Sequence, residues 1–325
     1  MSRIIYLCPA DNTPTGGVKV IYRHAELLTS IGADACVLHL YEPEFTCDWF
    51  EHKTQIARNN LMDVNADFVI IPEIWAASFG PQCMAMGIRF GIFVQNGYHT
   101  HQVLAEQPYE LFSAVYQAAQ LVLTISDDSA RMVMLNYPQI DPARIVPMQW
   151  SINERFMADH RPAAAQAGRT ISFMPRKMAT HATRVVYALR HYLPPTWSIV
   201  PIDNVSEATV ATILSNSSIF LSFSEFEGCP LPPLEAALAG NLVIGYTGQG
   251  ANEYWDRSNF IEIHQGDIRS FVTETTRAMK LIDAGVLTSS DLAPGIRRLR
   301  ERYSLEAEVE CLRRLNDRIK ATRRV

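Results

Sequence analysis

Residues 224–235 read Ser-Glu-Phe-Glu-Gly-Cys-Pro-Leu-Pro-Pro-Leu-Glu. The apolar run ahead of them, Ile219 to Phe223, predicts a buried strand. Behind them, Leu234 to Ala239 combines high helix propensity with a stop at Gly240, a natural C-terminal cap. Pro232 and Pro233 are tolerated in a first helical turn, where their missing N–H groups would be orphans anyway. Glu227 therefore falls at the mouth of a strand-to-helix turn, and Glu235 about one turn into the helix. In an open α/β sheet that mouth is the carboxyl edge, where ligands bind. A helix start offers backbone N–H groups and a positive dipole end, suited to phosphate. Acidic residues beside it are better placed to accept from sugar hydroxyls. The residues alone fit a nucleotide-sugar pocket and a capped helix with two solvated carboxylates about equally.

The segment resembles the signature of retaining glycosyltransferases with the GT-B fold, specifically the large family four. That signature runs Ser, two residues, Glu-Gly-Phe-Gly-Leu-Pro, two residues, Glu-Ala. Ser224, Glu227, Gly228, Leu231, Pro232, Glu235 and Ala236 match it, while Cys229 and Pro230 replace the Phe and the second Gly. Asn241-Leu242-Val243-Ile244 resembles the family's next strand. The glycine loop that follows it there is similar to Thr247–Glu253, with Gln249 where a first Gly is usual. An ordered match of this length is far more specific than a lone glycine motif. It implies an α/β chain with two Rossmann-like parallel-sheet domains facing a cleft and a C-terminal helix crossing back.

Composition agrees. A chain of 325 residues is long for one core and comfortable for two domains. Apolar residues make up 48% and charged ones 19%, a globular balance. With 29 basic against 34 acidic residues the net charge is −5, so no global basic field favours nucleic acid. Cys8, Cys36, Cys47, Cys83, Cys229 and Cys311 lack Cys-x-x-Cys spacing and mostly sit in apolar surroundings, which predicts reduced thiols. The chain enters a strand at Arg3 with no leader pattern, and no apolar run approaches the roughly 20 residues that span a bilayer. A soluble cytoplasmic protein is expected.

Strand and helix patterns alternate twice. The first series has strands at 3–8, 35–40, 68–71, 88–94, 121–125 and 144–147. Val18, Ile21, Ala25, Leu28 and Ile31 mark an amphipathic helix stopped by Gly32. Residues 157–168 are weakly patterned and read as a linker. The second series has strands at 170–174, 197–201, 218–223 and 242–246, with helices near 180–192, 206–215 and 232–239. From about 268 onward the pattern is helical, with a break expected at Pro294-Gly295. The predicted domains are 1–156 on the acceptor side, 169–303 on the donor side, and a helix over 304–325 packing back on the first.

Other groups stand beside these as candidates. Gly16 and Gly17 open the first helix, where bare backbone lets a substrate approach or donates to phosphate; an ordinary turn is the alternative. Arg176 and Lys177 follow the first strand of the second series, well placed to neutralise a diphosphate. The resemblance supports Arg176. The family's later Lys is absent, its place taken by Ala179, Thr180, His181 and Ala182, so Lys177 or Arg184 would substitute. Gln95-Asn96 occupies the place of a family His-Asp, with His99 and His101 just beyond; a histidine there could orient an acceptor hydroxyl. Ser126 reads as an N-cap. There is no Asp-x-Asp, and no metal site is expected. Residues 297–325 carry ten basic against five acidic residues. That excess would suit anionic lipid headgroups, but a solvated helix face is the better account.

The resemblance implies a retaining, metal-independent hexosyl- or deoxyhexosyltransferase. It would move sugar from a nucleotide-diphosphate sugar, without a cofactor, to a carbohydrate or lipid-linked hydroxyl. Polysaccharide or glycolipid synthesis in the cytoplasm is the expected setting, with peripheral contact at the inner face of the membrane as the alternative. Glu235 would hold the ribose, and Arg176 with Lys177 the diphosphate. N–H groups around Gly228, Cys229, Pro230 and Leu231, with Ser224, would support the phosphate or sugar. Glu227 would contact the transferred sugar, with His99 near the acceptor. Two alternatives share the fold: a nucleotide-sugar epimerase or phosphorylase, and a non-catalytic nucleotide-sugar-binding protein suggested by Cys229-Pro230, Gln249 and the absent Lys.

Overall fold

The computed structural model describes residues 3–13, 15–101, 109–157 and 169–322. The chain divides into two units, Met1–Trp150 with Leu305–Val325, and Ser151–Ser304. Apart from Met157, the linker expected at 157–168 lies outside the described residues.

In the first unit, Ile4–Leu7 forms β1, with all four side chains buried. Burial on both faces is what a parallel sheet covered by helices demands, and it explains the unbroken apolar run. The other strands are β2 (Ala35–Leu38), β3 (Ile56–Ala57), β4 (Phe68–Pro72), β5 (Arg89–Val94), β6 (Leu121–Thr124) and β7 (Ile145–Pro147). Among the described residues the sheet is seven-stranded, in the order β3-β2-β1-β4-β5-β6-β7. Every neighbouring pair is parallel. Strand order reverses between β1 and β4. The helices are α1 (Gly16–Ser30), α2 (Ala76–Met86), α3 (Tyr109–Ala118) and α4 (Asp127–Asn136). Ser126 caps α4 by accepting from the Ser129 amide at 3.1 Å.

The second unit contains β8 (Thr170–Phe173), α5 (Ala179–Leu189), β9 (Ser198–Pro201), α6 (Glu207–Ser215), β10 (Ile219–Ser222), α7 (Leu231–Leu238), β11 (Leu242–Gly245), β12 (Phe260–Glu262), α8 (Ile268–Asp283) and α9 (Ser289–Arg302). Among the described residues its parallel sheet is five-stranded, in the order β12-β11-β10-β8-β9, with the reversal between β8 and β10.

Helix α10 (Leu305–Ala321) follows the second unit in sequence but packs in the first. It buries Cys311, Leu312, Leu315 and Ile319, and Arg23 Nε on α1 donates to Glu308 Oε2 at 2.7 Å. Among the described residues no helix is long and apolar enough to cross a membrane.

The break expected at Pro294-Gly295 does not occur; both residues lie inside α9. A Cβ on Gly295 would stand 1.6 Å from Asn259 Oδ1, so the glycine marks close packing rather than a stop. Asn259 Nδ2 also donates to the Leu292 carbonyl at 3.2 Å, fastening this turn of the helix. The interruptions fall instead at 284–288 and 303–304.

Candidate functional site

At the β8/β10 reversal, two connections leave the carboxyl edge side by side. One runs from β8 through Met174 and Lys177 into α5; the other runs from β10 through Ser224 and Glu227 into α7. Such a reversal opens a crevice between the connections. Here a small open pocket is lined by Met174, Lys177, Phe223, Ser224, Glu227 and Pro232 among others. Lys177 Nζ donates to Glu227 Oε1 at 2.9 Å.

The placement of Glu227 comes from backbone. Its amide donates to the Gly248 carbonyl at 2.9 Å, and its carbonyl accepts from the Gly250 amide at 3.1 Å. These bonds make a short parallel bridge between Glu227 and Gln249. The bridge holds Gln249 at φ 71° and Gly248 at φ 61°. Glycine is therefore the low-cost residue at 249, and this chain carries a glutamine there at a conformational cost. Phe226, just before Glu227, is also left-handed at φ 49°, and Met178, just after Lys177, at φ 43°.

The start of α7 differs from the simple anion cradle expected of a helix N-terminus. Its N-cap is Pro230 and its first residue Leu231, followed by Pro232 and Pro233. Of the four orphan N–H positions at a helix start, three are prolines here and only Leu231 has an N–H to offer. The dipole end remains. The Tyr254 hydroxyl donates to the Pro230 carbonyl at 2.5 Å and fixes the entry of the chain into this helix.

The cavity thus gathers Lys177, Ser224 and Glu227 from the expected set. Arg176 is exposed on the same turn and does not line it. Glu235 is half-buried one turn into α7, and Cys229 half-buried in the loop before it; neither lines the cavity. Nearby, Tyr246 OH and His181 Nδ1 are 3.2 Å apart, a pairing with no motif to announce it. Burial raises the Tyr246 phenol above its ordinary range.

The first unit has its own polar group at the β1/β4 reversal. Gly16 and Gly17 are the first two residues of α1. Gln95 Nε2 donates to the Gly17 carbonyl at 2.9 Å. A Cβ on Gly17 would stand 2.6 Å from Gln95 Oε1, so any larger residue would displace that amide. Glu73, at the end of β4, is buried and accepts from the Asn96 amide at 2.9 Å. Its Oε2 has no partner among the described residues. Burial pushes its carboxyl up to about 7. His99 Nε2 lies 3.4 Å from Asn96 Nδ2, and burial, then the charge of His101, lowers the imidazole below its usual value. Sequence reasoning passed over Glu73, since nothing in Ile-Pro-Glu-Ile-Trp distinguishes a buried carboxyl from an exposed one. Among the described residues no three His, Cys, Asp or Glu side chains gather as a metal site.

No family model and no curated sequence matches the chain. Solved structures do. Sucrose-phosphate synthase from Thermosynechococcus elongatus is 13% identical, with a TM-score of 0.69 over 99% of this chain and 100% of that one. HepE from Anabaena, solved with UDP and glucose, is 10% identical, with a TM-score of 0.70 over 99% and 100%. WaaG, a glycosyltransferase involved in lipopolysaccharide biosynthesis, is 12% identical, with a TM-score of 0.62 over 98% and 100%. Two parallel sheets with interleaved helices, matched along almost the whole chain, give this protein the GT-B glycosyltransferase fold.

Proposed function

We propose that the chain is a retaining glycosyltransferase of family-four type. It would move a sugar from a nucleoside-diphosphate sugar to a hydroxyl of a carbohydrate or lipid-linked acceptor. The observation that carries this is the meeting of Lys177, Ser224 and Glu227 in one cavity, at the strand-order reversal and the start of α7. A cation and a dipole end suit the diphosphate, and a carboxylate suits sugar hydroxyls. In transfer, the bond from the anomeric carbon to the diphosphate oxygen breaks as the acceptor oxygen bonds to that carbon on the same face, and the hydroxyl proton passes to the departing diphosphate oxygen. The charge left on the diphosphate is what Lys177 and Arg176 would neutralise. Glu235 would accept from the ribose hydroxyls. With no Asp-x-Asp in the sequence, leaving-group stabilisation falls to these side chains. Gly16, Gly17 and His99, on the first unit, would serve the acceptor side. Solved HepE contains UDP or UDP-glucose, which makes UDP-sugars the first donors to try.

Thermal-shift titration with UDP-, GDP-, ADP- and dTDP-sugars tests the donor, because a ligand raises stability by mass action. One of them should raise the melting temperature and be hydrolysed slowly, releasing sugar in its original anomeric configuration. No shift with any of the four would remove the reading. Binding without hydrolysis or transfer would leave a non-catalytic nucleotide-sugar-binding protein.

A further inference from the structure

Lys177 and Glu227 carry two roles in that reading which they cannot perform while bonded to each other. An ammonium 2.9 Å from a carboxylate is partly neutralised towards a diphosphate. A carboxylate so engaged has fewer lone-pair directions left for sugar hydroxyls. The proline-rich start of α7 sharpens the conflict. With only Leu231 offering an N–H among the orphan positions, an anion at this edge depends on a side-chain cation, and Lys177 is the one that lines the cavity.

The surrounding backbone is held in a costly shape. Met178, Phe226 and Gln249 are three of the four non-glycine residues with positive φ among the described residues. Met178 adjoins Lys177, Phe226 adjoins Glu227, and Gln249 bridges Glu227. Such conformations persist where surrounding contacts over-determine them, and they gather at ligand clamps and switch regions.

We propose that the Lys177–Glu227 pair is an exchange latch that makes sugar recognition conditional on a diphosphate. Without a diphosphate, Lys177 holds Glu227. A diphosphate, with its higher charge, takes Lys177, and the freed Glu227 carboxylate turns to the sugar hydroxyls. The cavity therefore discriminates against free sugars, which bring hydroxyls but nothing to draw Lys177 away. This inference rests on the donor-site reading above.

Calorimetric titration of the full chain with inorganic pyrophosphate tests it, using wild type, Glu227→Gln, Lys177→Met and the double variant. Glu227→Gln should bind pyrophosphate roughly two- to five-fold more tightly, the scale expected from releasing a partly exposed ion pair. Lys177→Met should bind about ten-fold or more weakly, and Glu227→Gln should bring no gain in that background. A gain in both backgrounds would show simple relief of charge repulsion and overturn the latch. Unchanged or weaker binding by Glu227→Gln would overturn it too. In wild type, the ¹³C carboxyl resonance of Glu227 should move on adding pyrophosphate and stay still with free glucose; the reverse pattern would sink the idea without any variant. If pyrophosphate and the four nucleoside diphosphates all fail to bind wild type, it is the donor-site reading that falls.

Discussion

The Gly250 amide donates to the Glu227 carbonyl at 3.1 Å, and a Cβ on Gly250 would stand 2.4 Å from that same oxygen. One loop thus seats the backbone of the acid that lines the cavity, through a contact only glycine allows. Gly250→Ala must push the two loops apart. Overpacking of this kind costs about 1–3 kcal/mol. We expect a melting temperature lower by several degrees, and donor affinity that falls together with it. Donor affinity equal to wild type would show that Glu227 is held by other contacts.

The two cations should separate by role. Lys177→Met should lower the rate of transfer about 100-fold or more, the range seen when one preorganised charge-stabilising donor is removed. Arg176→Ala should also lower transfer by orders of magnitude if the exposed guanidinium swings onto the leaving group. A near wild-type kcat for Arg176→Ala would assign the diphosphate to Lys177 alone.

Glu235→Gln should weaken nucleotide binding about ten-fold, the scale of a hydrogen bond to a charged acceptor. Titration with the free nucleoside diphosphate reads this without the sugar. An unchanged affinity would take Glu235 out of the ribose site.

Glu73 gives a pH dependence with a definite sign. Burial raises its carboxyl from 4.5 to about 7, so the folded chain keeps a proton that the unfolded chain gives up. The stability linked to this group is fully present below about 4.5 and is lost as pH rises through about 7. The whole effect is on the order of 3 kcal/mol. Urea unfolding at pH 5 and pH 8 should show wild type losing more stability with rising pH than Glu73→Gln, which keeps the acceptor for the Asn96 amide but does not titrate. Buried His24, lowered to about 3, slopes the other way, so the difference between the two proteins is the quantity to read.

Arg23→Ala should destabilise the first unit by roughly 1–3 kcal/mol. It removes the Arg23 bond to the fully buried Glu308, though the arginine itself is 38% exposed and its share is screened. Arg23→Met with Glu308→Leu should recover most of the loss, since an apolar pair removes the buried charge. A silent Arg23→Ala would mean that apolar contacts alone hold α10 against α1.

Much of the fold was legible because parallel strands buried on both faces leave unbroken apolar runs. Ile4–Leu7, Phe68–Ile71 and Ile219–Ser222 announce themselves in this way. Helices are legible by the 3.6-residue spacing, as in Val18, Ile21, Ala25 and Leu28. The two-residue β3 and three-residue β12 are too short to carry a period. Pro294-Gly295 misled because a glycine kept for close packing against Asn259 looks, in sequence, like one kept to end a helix.

The order of residues by itself determined the alternation of strand and helix and the turn carrying Ser224 and Glu227, with the prolines that follow it. These are local matters of side-chain period, φ restriction and missing N–H groups. Only the tertiary structure decided that Lys177 bonds to Glu227 fifty residues away, that Gly250 and Gln249 seat that acid, and that Glu73 is buried with one oxygen unmet among the described residues. Each depends on which strands become neighbours and how far water is excluded, and neither is written in any short stretch of chain.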